Sequence, residues 1–262
     1  MGYNHPRREI VSAGGIMDRA SKEKLLNINR QFYTDFASHF SATRGPFQPG
    51  LERILPHVPD FCRLLDVGCG NGRLALWLES KEKHVEYVGV DSSRELLEVA
   101  RSSTTDMKFV KPRFVEADVT SDGWSAALPA QRFDVVTMIS VLHHIPSFEL
   151  RLRIFRDMAG LLEPGGKFIL TTWQFLTSPR MRKKIVPWSL VGMADSDVEE
   201  GDYLLDWRSG GVGYRYCHFV DEREIAKLAE SAGFRLLETF YADGKEGNLN
   251  LYAVLQRWAN PR

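Results

Sequence analysis

The feature that most constrains this chain is the run Leu-Leu-Asp-Val-Gly-Cys-Gly-Asn-Gly at residues 64–72. An apolar stretch there ends in glycines at alternate positions, and the helix-forming segment RLALWLES follows at once. Gly68, Gly70 and Gly72 let the backbone turn tightly and approach a ligand closely. Such a loop aims main-chain N–H groups and a helix N-terminus at that ligand, which suits an anionic or polar group. A dinucleotide fingerprint needs a glycine three residues after Gly70, and Arg73 stands there instead. The pattern is D-x-G-x-G-x-G.

The strand–loop–helix rhythm continues downstream. Periodicity predicts strands at 64–68, 86–91, 113–118, 132–140 and 167–173. Helices are expected at 73–80, 94–102 and 147–162. Near-continuous apolar strands alternating with helices imply a mostly parallel sheet covered on both faces. Upstream, residues 1–20 read as a flexible arm. Residues 21–56 form a helical segment, with Leu25, Ile28, Phe32, Phe36 and Phe40 on one face of a helix over 21–44 and a short helix at 49–56. The main domain is then 57–262. Residues 174–220 break the rhythm with a basic cluster, an acidic run and a Gly-rich aromatic tract, and read as an irregular insertion or lid. A helix at 221–234 and strands at 235–241 and 249–256 close the domain.

Composition excludes several classes. Thirty-four Lys and Arg balance thirty-four Asp and Glu, so bulk charge does not hold this protein to nucleic acid, although a local basic patch is compatible. Cys62, Cys69 and Cys217 are odd in number and form no C-x-x-C pair, which argues against a disulfide framework or a zinc site and fits a reducing cytoplasm. No metal is expected. No apolar stretch is long enough to cross a membrane, and the first twenty residues lack the apolar core of a signal peptide.

The glycine loop resembles the first motif of class I S-adenosylmethionine (SAM) methyltransferases, and the likeness runs through the chain in that family's order. Asp91 ends the second strand. Asp118-Val119 follows the third, Ser140-Val141-Leu142-His143-His144 the fourth, and LLEPGG introduces the fifth. The resemblance implies an α/β fold, a Rossmann-like doubly wound seven-stranded sheet with an N-terminal helix and a lid after the fifth strand. It implies SAM as cofactor and S-adenosylhomocysteine as product. It places Arg44, Asp66, Gly68, Cys69, Gly70, Gly72, Asp91, Ser92, Asp118, Val119 and Ser140 around that cofactor, with Asp91 on the ribose hydroxyls and Asp118 near the adenine amino group. His143 is the candidate base.

A narrower resemblance concerns the segments Phe40-Ser41-Ala42-Thr43-Arg44, Gly201-Asp202-Tyr203-Leu204-Leu205-Asp206-Trp207 and Arg215-Tyr216-Cys217-His218. They are similar to the F-S-x-T-R, G-D-x-x-V-P-W and R-Y-Y-H segments of tRNA wobble-uridine methyltransferases that esterify a 5-carboxymethyl group. Leu205-Asp206 and Cys217 depart from that pattern. The likeness implies a tRNA substrate and, for some family members, a small activator protein. On this reading Arg215 grips the carboxylate bidentately, His218 adds a donor, and Trp207, Tyr214 and Tyr216 stack on a base. Arg208 lies beside them, and Arg180, Arg182, Lys183 and Lys184 meet the phosphate backbone. The bland readings are that the basic cluster is a solvated face, that the aromatics pack the lid, and that Arg208 and Arg215 pair with the acidic run at 195–202. The alternative functions are a small-molecule O- or N-methyltransferase and a SAM-binding partner subunit.

Overall fold

The apolar runs around Leu64 and Val88 are buried on both sides, and only a sheet sandwiched between helices buries a strand that way. In the computed structural model, which describes residues 17–42, 46–129 and 132–259, the chain opens with α1 (Arg19–Ala42) and α2 (Leu51–Ile54). It then alternates: β1 (Cys62–Val67), α3 (Arg73–Ser80), β2 (Val85–Asp91), α4 (Arg94–Ser103), β3 (Val110–Glu116), β4 (Phe133–Ile139), α5 (Phe148–Leu161) and β5 (Leu162–Trp173). After an insertion come α7 (Glu222–Ser231), β9 (Phe234–Ala242) and β10 (Asn250–Arg257). The sheet runs β3-β2-β1-β4-β5-β10-β9. Its first five strands are parallel, and β10 is antiparallel to both neighbours. Tyr87 and Val88 point to opposite faces, so one joins a core with Trp77, Ile169 and Tyr252, the other a core with Phe155, Phe168 and Phe234. The exposed β3 edge carries Lys111, Arg113 and Glu116 around Pro112, the charges and proline that guard sheet edges.

The insertion departs from the expected irregular lid. After α6 (Pro179–Arg182), residues 185–218 build a three-stranded antiparallel sheet of β6 (Ile185–Val186), β7 (Asp202–Trp207) and β8 (Gly213–His218). Cross-strand pairing gives it two distinct faces. Leu204 and Tyr216 pack with Trp188, Met193 and Leu25 of α1, whereas Leu205 and Cys217 pack with Phe175 and Met181. Helix α1 therefore joins the insertion through Leu25 while Leu26 reaches the main-domain core. Its Asn29 amide accepts from the Tyr216 N–H at 2.9 Å and donates to the Tyr216 carbonyl at 3.1 Å, as a neighbouring strand would. Together α1 and β6–β8 form a cap over the C-terminal ends of the parallel strands.

Candidate active site

The glycine loop joins β1 to α3 with positive φ at Gly68 (71°) and Gly70 (54°), a conformation that disfavours side chains. A Cβ on Gly68 would lie 2.3 Å from a Val141 methyl, so that residue must be glycine for packing, whereas a Cβ on Gly70 would meet nothing within 4 Å and would project into open space. Asp91, at the end of β2, holds the loop in place. One carboxylate oxygen accepts the Gly70 N–H at 2.8 Å and the other accepts the Ser93 N–H at 2.9 Å. Burial raises the Asp91 pKa above its ordinary value despite those bonds.

Asp66 stands behind the loop. It is buried, and it takes hydrogen bonds from the Tyr87 hydroxyl at 2.5 Å and the Thr137 hydroxyl at 2.7 Å. Burial pushes its pKa up to about 6. It borders a small cleft of about 70 Å³ with Cys69, Asn71 and Arg73. The Cys69 thiol is buried, and burial drives its pKa upward, which removes it as a nucleophile.

A cavity of about 410 Å³ opens in front of the loop. Gly68, Gly70, Asp91, Ser92, Val119 and Ser140 lie on its wall, which brings together six of the residues expected around a cofactor. Asp118 lines it too, but its carboxylate is more heavily engaged than expected. One oxygen accepts from Thr120 N–H (2.8 Å) and hydroxyl (2.6 Å), and the other accepts from Arg30 Nε (3.1 Å) and Nη2 (2.9 Å). Burial works against the Asp118 carboxylate, yet those bonds outweigh it and hold its pKa below the ordinary value. Leu96, Val119, Val141 and Ile145 supply apolar wall between the acidic groups. Carboxylate acceptors, apolar slabs and an open space at Gly70 match an adenosyl group with ribose hydroxyls and a polar tail, so the residues present fit SAM. Gly72 caps α3 without lining the cavity, and Arg44 lies outside the described residues. Arg30, Asn29 and Tyr33 of α1 also line it. The sequence shows them only as polar positions on a helix.

The cap carries the opposite charge. Arg215 of β8 is 3% exposed, and its guanidinium carbon lies 4.9 Å from the Phe32 ring centre, 4.8 Å from Trp173 and 5.1 Å from Trp207. Its Nε is buried without a hydrogen-bond partner. Among the described residues no carboxylate pairs with it. Arg208 pairs with Asp206 at 2.8 Å on the surface, so neither arginine ties to the acidic run at 195–202. Trp207 serves as a wall of the Arg215 box, packed edge-on against Phe32, and Lys184 Nζ also lies 5.7 Å from its ring.

Side-chain alternation along β8 separates residues that the sequence reading grouped together. Tyr214, Tyr216 and His218 face away from Arg215. Tyr214 packs against the α1-side core. Tyr216 is fully buried and donates to Asp202 at 2.7 Å, so it offers no open surface for a base. His218 is likewise a fastening: Nδ1 meets Asp202 at 2.7 Å and Nε2 meets Glu224 of α7 at 2.8 Å. Burial opposes its protonation, but those two carboxylates raise its pKa. Arg151 of α5, 1% exposed, completes the cluster with bonds to Glu224 (2.6 Å), Glu199 (3.2 Å) and the Ile145 carbonyl (2.9 Å). Glu199, Asp202 and His218 have ligand atoms within 4.8 Å of one another, but Arg151 already supplies their positive charge.

Of the two histidines after β4, His144 rather than His143 lines the cavity. His143 is 1% exposed, stacks on Trp173 and accepts the Trp173 N–H at its Nδ1. It buttresses the Arg215 box.

Residues 37–239 match the family model described as a methyltransferase domain. The chain is 28% identical over 222 residues to a tRNA (carboxymethyluridine(34)-5-O)-methyltransferase of Schizosaccharomyces pombe, covering 80% of this chain and 90% of that protein. It is 29% identical over 177 residues to a ubiquinone biosynthesis O-methyltransferase of Coxiella burnetii, spanning 67% of this chain and 64% of that one. A solved SAM-dependent methyltransferase from Methanosarcina mazei superposes with a TM-score of 0.62 at 21% identity, covering 82% of this chain and all of that one. No described helix is long and apolar enough to cross a membrane.

Proposed function

The chain belongs to the methyltransferase-domain family and is a SAM-dependent methyltransferase, and from that premise we propose that it esterifies a carboxylate, the carboxymethyl group of a modified wobble uridine in tRNA. The observation that carries this reading is Arg215: a buried guanidinium in an aromatic box, with an unpartnered Nε and, among the described residues, no acid beside it. A planar fork of donors inside an aromatic box matches a planar carboxylate bidentately. The fission-yeast relative's substrate class points the same way. So do Arg180, Arg182 and Lys183, which are exposed beside the cap and have no acid partner among the described residues.

When bound, SAM supplies an electrophilic methyl on a positively charged sulfur. Asp91 would hold the ribose and Asp118 the adenine end, with the open space at Gly70 left for the amino-acid tail. Arg215 binds the acceptor carboxylate and fixes its direction. Phe32, Trp173 and Trp207 exclude water, so the acceptor loses the solvent shell that would otherwise blunt it. An ionised carboxylate needs no proton removed, and this reaction asks for no general base. What the protein contributes is orientation, which is worth several kcal/mol.

The test is nucleoside analysis of bulk tRNA incubated with the protein and methyl-labelled SAM. Label in an alkali-labile ester of a 5-substituted uridine is the expected result. Label confined to small metabolites overturns the tRNA reading in favour of a small-molecule acceptor.

A further inference from the structure

Among the described residues two buried side-chain polar atoms have no hydrogen-bond partner: Arg215 Nε and Asn250 Oδ1. A buried polar atom left unpaired is destabilising, so each calls for a cause. Both residues converge on Trp173. The Arg215 guanidinium carbon lies 4.8 Å from the Trp173 ring centre. Asn250 opens β10 directly opposite Trp173 of β5 in the antiparallel ladder, so the two side chains leave the sheet on the same face.

The Asn250 amide has a fixed sense. Asp243, in the β9–β10 connection, is buried and accepts from the Gly50 N–H at 2.8 Å, the Tyr252 hydroxyl at 2.6 Å and Asn250 Nδ2 at 2.8 Å. A carboxylate accepts and does not donate, so the NH2 end of Asn250 faces Asp243 and Oδ1 is turned away from it. Asn250 is 3% exposed, so bulk water does not serve that oxygen. Around Trp173 the protein thus offers one unused donor, on a cation, and one unused acceptor, on a neutral amide.

We propose that Asn250 reads the ring of the methyl acceptor: Oδ1 accepts a hydrogen bond from a ring N–H of the same molecule whose carboxylate Arg215 holds. The acceptor class is a planar heterocycle with a carboxylate arm and an imide- or lactam-type N–H. The inference rests on the carboxylate reading above, and for carboxymethyluridine the donor is the uracil N3–H. The two contacts differ in kind. Arg215 selects the negative charge and Asn250 selects the hydrogen on the ring, so neither a simple carboxylic acid nor a ring alkylated at that nitrogen satisfies both. A site built to hydrogen-bond a substrate N–H rejects the analogue that lacks it, because the site's own buried group then stays unpaired. Asn250 moves no proton and makes no bond to the methyl group; it sets specificity.

Stem-loops carrying 5-carboxymethyluridine or its N3-methyl derivative are incubated with the protein and methyl-labelled SAM, and alkali-labile ester is measured. The N3-methyl probe should show kcat/KM lower by at least about tenfold. In Asn250→Ala and Asn250→Ser, each checked for S-adenosylhomocysteine binding, the two probes should converge, as a double-mutant cycle requires of an interacting pair. A further measurement needs no variant. With ¹⁵N at N3 of 5-carboxymethyluridine, the imino proton of the bound stem-loop should be protected from exchange with solvent. Ester on 5-carboxymethyluridine with equal rates on both probes, a preference that survives in the variants, or an imino proton that exchanges as freely when bound overturns the role of Asn250 and leaves the carboxylate reading standing. No ester on either probe overturns the carboxylate reading, and the role of Asn250 with it.

Discussion

The two halves of the site are finished in different ways. On the cofactor side the acidic groups are already satisfied. Asp91 takes two backbone N–H groups, and Asp118 takes Thr120 and Arg30. On the acceptor side Arg215 is surrounded by aromatic rings and meets no acid among the described residues. The first half is set by the glycine loop and two carboxylates, one held by main-chain N–H groups and the other by Thr120 and by Arg30 of α1. The second is set by side chains drawn from α1, β5, β7 and β8, and its buried charge meets the faces of Phe32, Trp173 and Trp207. On the proposed function, the glycine loop and its carboxylates answer for the cofactor and the Arg215 box for the acceptor, while α1 serves both halves.

Four experiments break or sharpen that contrast. The largest effect should come from Arg151→Met, which strips the buried cation from half-buried Glu199 and Glu224 where the cap meets α5 and α7. Breaking a buried pair costs about 3–5 kcal/mol. Calorimetric unfolding should show that loss, and hydrogen exchange should rise first in β7 and β8. Equal loosening across β1–β5 would mean that cap and domain are one cooperative unit.

Arg215→Lys keeps the charge and loses the fork. A forfeited charge-assisted hydrogen bond, about 1.5–3 kcal/mol, lowers kcat/KM for the carboxymethyl substrate by roughly 10- to 150-fold. Titrated separately, SAM affinity should stay near normal; a parallel shift in both would place Arg215 in cap closure instead.

Asp91→Ala is the mirror experiment. It removes the acceptor from the Gly70 and Ser93 amides and should weaken SAM by about 1–3 kcal/mol in a calorimetric titration. Exchange in β7 and β8 should not change.

The smallest effect concerns pH. The carboxylates around His218 favour its protonated form in the folded state, so its pKa there lies above the unfolded value of about 6.5. Its stabilising contribution is therefore complete below pH 6.5 and is lost as pH rises through the folded value. Exchange in β8 should increase on going from neutral to mildly alkaline conditions, and His218→Asn should abolish that increase.

The parallel sheet was legible in the sequence because β1, β2, β4 and β5 carry apolar runs buried on both faces. Burial then writes itself into composition at Leu64, Val88, Val136 and Phe168. Predicted boundaries fell close to the observed ones for the same reason. The glycine loop was equally plain, since Gly68 is fixed by a contact with Val141 that no other residue allows. The cap was not legible. Its strands are short, one face of β8 is polar yet buried, and Tyr216 and His218 look like surface residues until Asp202 and Glu224 arrive from elsewhere. A strict reading of 213–218 as a strand would have separated Arg215 from Tyr214, Tyr216 and His218. Arg151 gave no sign at all: its acceptors come from three other segments, and nothing local marks a buried arginine.

The Asn29 clamp has a consequence for biosynthesis. Asn29 and Tyr216 are 187 positions apart. At about 5–20 residues per second, a ribosome takes on the order of 10–40 s to travel between them. Throughout that interval α1 has no strand to read and no core against which to bury Leu25, Phe32 and Phe36. The helix made before the main domain is thus among the last to be seated, waiting until β8 emerges.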